Sequence, residues 1–112
     1  MYGTGVGDER TSCIVVQRYD TTVIMLGGCL DQAGARGIEG SVRFATADAE
    51  AGVLIDCTAC QFVDSSGLRL LVESQQMAAA RGIGWRMRAG DQLRKLLIAT
   101  SLDDMLTDDP VD

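Results

Sequence analysis

The chain has 112 residues, 46% of them hydrophobic, a formal net charge of −6 and no histidine. That size supports one packed domain and excludes a two-domain enzyme with a cleft between lobes; the missing histidine removes Ser–His–Asp and Cys–His mechanisms and the commonest metal ligand. The ten basic residues are scattered, with only Arg86 and Arg88 clustered, so neither nucleic acid nor an anionic membrane is expected as a partner: both bind through Lys and Arg.

Residues 1–11, with Gly3, Gly5 and Gly7 among polar neighbours, read as a flexible lead-in. They hold no basic region followed by an apolar stretch, so no secretory signal is expected. Cys13 to Tyr19 is β-branched and predicts a strand. Asp20-Thr21 predicts a tight turn, and Thr22 to Leu26 a second strand ended by Gly27-Gly28. So short a connection makes the two strands antiparallel. From Asp31 to about Ala49 the period changes, with Ala35, Ile38, Val42 and Ala45 on one helical face and Arg36, Glu39 and Arg43 elsewhere. Asp31 suits the N-cap. Gly34, Gly37 and Gly40 each cost about 1 kcal/mol relative to Ala, which predicts a loose or late-starting helix.

Gly52 to Cys57 is a continuous apolar run, the pattern of a central strand covered on both faces. A second helix follows from Ser66 to about Ala80, with Leu68, Leu71, Val72, Gln75 and Ala79 on one side and Arg69, Glu73 and Gln76 on the other. Gly82 stops it. Ile83, Trp85, Met87 and Ala89 alternate with Gly84, Arg86 and Arg88 as a half-buried strand. Asp91 is expected to cap a last helix that turns Leu93, Leu96, Leu97 and Thr100 inward. The order β-β-α-β-α-β-α predicts an α/β fold: a single mixed, mostly parallel sheet with an antiparallel edge strand, covered by helices. The domain spans 12–108, and 109–112 form an acidic tail. Apolar runs such as Val53 to Ile55 and Leu70 to Val72 fall far short of the roughly 20 residues of a membrane-spanning helix, and the chain reads as cytoplasmic.

The segment Phe62-Val63-Asp64-Ser65-Ser66-Gly67-Leu68 joins the apolar strand to the strongest helix, placing Ser65 or Ser66 at a helix N-terminus. One reading is an N-cap, worth about 1 kcal/mol. The other is a phosphate site, because the free N–H groups and the helix dipole favour an anion there.

Three stretches resemble the STAS-domain family, and especially its bacterial anti-sigma factor antagonists: Leu26-Gly27-Gly28-Cys29-Leu30-Asp31; Val53-Leu54-Ile55-Asp56 with Val63-Asp64-Ser65-Ser66-Gly67-Leu68; and Arg81-Gly82 leading into Asp91 to Leu106. The similarity covers 13–108. It implies a non-enzymatic module without cofactor that binds an anti-sigma factor serine kinase of histidine-kinase-like ATPase fold, frees the sigma factor, and is switched off by phosphorylation of Ser66, with Ser65 the weaker candidate. It also implies a serine phosphatase as a second partner. Asp31, Asp64, Ser65, Ser66 and Gly67 are the partner-binding residues carried over by the motif.

Cys57-Thr58-Ala59-Cys60 is a single CxxC without a second pair, which leaves a zinc site incomplete. It ends a strand instead of opening a helix, so buried structural thiols are expected, with a redox role for Cys57 and Cys60 as the minor alternative. Gly3-Thr4-Gly5-Val6-Gly7 lacks the preceding strand and following Lys of a phosphate loop. Two other functions remain open: a STAS scaffold in a stress-signalling or transporter-associated complex without a phosphorylation switch, and a small nucleotide-binding protein.

Overall fold

The computed structural model describes residues 3–7, as backbone, and 10–105. Strands β1 (Gly3–Gly7), β2 (Thr11–Arg18) and β3 (Thr21–Leu30) are followed by helix α1 (Gln32–Asp48), strand β4 (Gly52–Val63), helix α2 (Ser65–Arg81), strand β5 (Gly84–Ala89), helix α3 (Asp91–Ala99) and a 3₁₀ turn at Asp103–Met105. They build one mixed sheet in the order β1-β2-β3-β4-β5. β1 and β2 pair antiparallel, as do β2 and β3. β3 with β4 and β4 with β5 are parallel, joined by crossovers through α1 and α2. No helix among the described residues is long and apolar enough to cross a membrane.

The register explains where the core lies. Val15, Ile24, Ile55 and Met87 line up across four strands. Ile24, Ile55 and Met87 are fully buried, and with Cys13, Leu26, Val53 and Cys57 they join Ile38 and Val42 of α1, Leu70 and Leu71 of α2, and Leu93 and Leu97 of α3 in one cluster. The alternate set, Ile14, Met25, Asp56 and Arg88, points away from it, leaving Ile14 41% and Met25 37% exposed. Among the described residues the helices therefore gather on one face of the sheet, while on the other face of β4 Leu54 is still only 8% exposed.

Several local expectations change. Gly3–Gly7 is not a loose lead-in but an edge strand, paired from Gly3 opposite Val16 to Gly7 opposite Ser12. A strand rich in glycine pairs through its backbone alone, so side-chain periodicity does not betray it. The N-cap of α2 is Asp64, ahead of both serines. α3 is preceded by Gly90 without a side-chain cap, and Asp91 occupies the first helical position, where its charge suits the helix dipole. The buried stripe of α2 is Gly67, Leu70, Leu71, Ser74 and Ala78, rotated from the apolar one. Ser74 lies inside because its hydroxyl accepts the Trp85 indole N–H at 3.0 Å and meets the Thr46 hydroxyl at 2.9 Å. A buried polar group is tolerated once bonded. Other expectations hold: Asp31 caps α1, and Gly82, left-handed at φ 71°, ends α2. Thr100, expected inward, is exposed. The proposed acidic tail, 109–112, lies outside the described residues.

Candidate functional site

Both crossover helices start from a strand end through an aspartate and a glycine three residues on. At α1, extended Asp31 accepts the Gly34 N–H at 2.9 Å through Oδ1, while Oδ2 is paired with Arg10. The Gly34 amide and then the Arg10 guanidinium hold this carboxyl below the usual aspartate range. A Cβ on Gly34 would stand 2.1 Å from the Cys29 carbonyl oxygen and 2.4 Å from Thr11 Oγ1. At α2, extended Asp64 accepts the Ser66 N–H at 2.8 Å and the Gly67 N–H at 3.3 Å, and its own N–H donates to the Leu30 carbonyl at 3.2 Å. A Cβ on Gly67 would meet that same carbonyl oxygen at 2.4 Å and Leu30 Cβ at 2.7 Å. Gly67 is thus what lets the helix start touch the end of β3.

With the cap at Asp64, Ser65 and Ser66 are the first and second helical residues; Ser65 is exposed and Ser66 half-buried. Both line a groove of about 310 Å³ between α1 and α2, whose walls include Arg36, Glu39, Arg69 and Glu73. Arg43 binds Glu73 across the groove and lies 3.6 Å from Glu39. That cation draws the Glu73 carboxyl below its ordinary range. Ser65, Ser66, Asp64 and Gly67 therefore converge at one helix start, and Asp31 caps the neighbouring helix beside Gln32, which also lines the groove. The sequence reading placed Arg36 and Arg69 on outward helix faces without connecting them to the serines. The available signal was spacing, since Arg69 follows Ser66 by three residues and so shares its face.

Cys57 and Cys60 stand apart from this groove, farther back on β4. Between the pairs Met25–Asp56 and Gly27–Ala59, β4 carries one residue more than β3, a bulge in which Asp56 Oδ1 accepts the Thr58 N–H at 2.9 Å and hydroxyl at 2.6 Å. In a regular strand residues 57 and 60 face opposite sides; the extra residue turns both thiols the same way. The interaction between them raises the Cys57 thiol, as does its burial, and lowers that of Cys60 against the opposing effect of burial. All four cysteines are free thiols. Cys60 also borders a smaller pocket with Phe62, Leu93 and Leu96, giving it a route to solvent that Cys57 lacks.

A family model described as "Mlab, STAS domain" matches residues 14–107. Among solved structures, an anti-sigma factor antagonist from Mycobacterium paratuberculosis superposes with a TM-score of 0.78 at 24% identity, covering 86% of this chain and 82% of that one. The anti-sigma factor antagonist SpoIIAA in its unphosphorylated form gives 0.72 at 21% identity, with 88% of each chain covered. The phosphorylated form of SpoIIAA, a Bacillus cell fate determinant, gives 0.68 at 21% identity, covering 88% of this chain and 91% of that one. At these identities the likeness establishes a shared fold. No curated protein matches the sequence.

Proposed function

Since the chain belongs to the STAS-domain family, we propose that it is an anti-sigma factor antagonist: a cytoplasmic binding module, not an enzyme, that engages an anti-sigma factor serine kinase, frees the sigma factor, and is inactivated by phosphorylation on Ser66. The observation that carries this reading is Ser66 at the second position of α2, half-buried on a groove wall, its backbone N–H held by the Asp64 cap. Ser66 is the acceptor in this reading, and Ser65, one residue nearer the cap and exposed, is the weaker candidate. A serine phosphatase restores the active form.

The switch follows from charge. A phosphoryl group adds about −1.5 to −2 charges at neutral pH. In an interface that charge must be desolvated or paired, and an unpaired buried charge costs several kcal/mol. A loss of about 4 kcal/mol weakens binding roughly a thousandfold. No refolding is needed. Incubation with the cognate anti-sigma kinase and ATP should label wild type and leave Ser66→Ala unlabelled, while Ser65→Ala is labelled normally. Undiminished labelling of Ser66→Ala would overturn the assignment. A scaffold without a switch would retain its partners equally in the phosphorylated and unphosphorylated forms.

A further inference from the structure

The mouth of the groove holds two arginines that, among the described residues, no hydrogen bond or ion pair ties down, although Arg69 lies near enough to Glu73 to help draw its carboxyl below the ordinary range. Arg36 of α1 and Arg69 of α2 line it together with Ser66, and among the described residues neither has a hydrogen bond or ion pair. The acids deeper in the groove, Glu39 and Glu73, are both drawn to Arg43. Asp31 is bound by Arg10. Helical side chains lean toward the N-terminus, so Arg69 projects back over the turn that carries Ser66, and Arg36 faces it from the opposite wall. The helix end itself has little to offer an anion, because Asp64 already takes the Ser66 and Gly67 N–H groups and adds a negative charge of its own.

We propose that Arg36 and Arg69 form the binding site for the phosphoryl group on Ser66, clamping it across the groove in an intramolecular ion pair. Guanidinium forks match the phosphate oxygens, and two of them balance a dianion. Phosphorylation then does more than add charge: it fills the groove and turns inward two cations that the unmodified chain presents to its partner. The clamp deepens the reading of Ser66 as the acceptor and rests on it.

Its test needs no kinase. Phosphoserine is installed at position 66 during translation, and the phosphorus resonance is titrated by NMR in the full chain. The second ionisation of a free phosphoserine lies near pH 6. With Asp64, Glu39 and Glu73 opposing and Arg36, Arg69 and Arg43 favouring the dianion, the clamp requires a midpoint lowered by about one unit or more. The double variant Arg36→Ala/Arg69→Ala, which keeps Asp64, should return it to about 6 or above, and Arg36→Lys/Arg69→Lys should recover part of the shift. Circular dichroism of the double variant confirms that the exposed substitutions leave the fold intact. A wild-type midpoint near 6, or one that the double variant does not move, overturns the clamp. A kinase that fails to label Ser66 would sink the proposed function and leave this titration unaffected, so the two failures are distinguishable.

Discussion

The starts of α1 and α2 read almost as copies: Asp31-Gln32-Ala33-Gly34 and Asp64-Ser65-Ser66-Gly67. In each, an extended aspartate caps the helix, and the glycine three residues on has no room for a Cβ against backbone at the end of β3. The copies differ in what the shared scaffold displays. At α1 the cap is locked by Arg10, and Gln32 and Ala33 offer no nucleophile. At α2 the same two positions carry hydroxyls. One geometric device therefore serves once to anchor a crossover and once to present two hydroxyls on the groove. Cap and glycine specify the backbone, and only the two residues between them specify the chemistry.

The sharpest way to break this equivalence is steric. Gly67→Ala and Gly34→Ala each force a methyl to within 2.4 Å and 2.1 Å of a backbone carbonyl oxygen. Both should lose about 2–3 kcal/mol or more, lowering the thermal midpoint by roughly 10 °C or more in a chain this size. A midpoint unchanged in either, followed by circular dichroism, would mean that one helix start is not clamped as the other is.

Removing the caps comes next. Asp64→Ala should cost about 1 kcal/mol by chemical denaturation. Asp31 adds a pH signature. Its folded carboxyl is held below its unfolded value, so its contribution is present above about pH 4 and is lost as pH falls through the lowered folded value. Asp31→Asn should therefore flatten the acid limb of the stability curve. An acid limb as steep as that of wild type would show that Asp31 gains nothing from Gly34 and Arg10.

Farther along α1 the sign reverses. Gly37 and Gly40 have nothing within 4 Å of a built Cβ. Gly37→Ala and Gly40→Ala should each stabilise by about 0.5–1 kcal/mol, seen as a higher denaturant midpoint with unchanged slope. Destabilisation by either would mean that these glycines, too, serve a contact.

The strands feeding the two helices differ as well, since β4 carries the bulge that pairs its thiols. Iodoacetamide should label Cys60 before Cys57 and Cys13, because the Cys57 thiol lowers that of Cys60 while burial pushes Cys13 up to about 11. Equal rates would contradict this. If the Cys57–Cys60 pair is redox-active, mild oxidation removes two of the four titratable thiols; four remaining would leave them structural.

Much of this was legible in one dimension. The alternation of apolar runs with helical periods gave the strand and helix order from Cys13 onward, Asp31 announced its own cap, Gly82 its helix end, and the Asp64 to Leu68 element pointed to the candidate site. What the residues could not announce depended on neighbours far away in the chain. β1 exists because the edge of β2 offers backbone to glycines. Ser74 is inside because Trp85 and Thr46 bond it. The thiols of Cys57 and Cys60 meet because β4 bulges against β3, and Arg36 faces Ser66 only because α1 and α2 pack side by side. Periodicity reports the environment a residue prefers on its own element; which groups face each other across a groove is set by packing between elements, and that is a property of the fold.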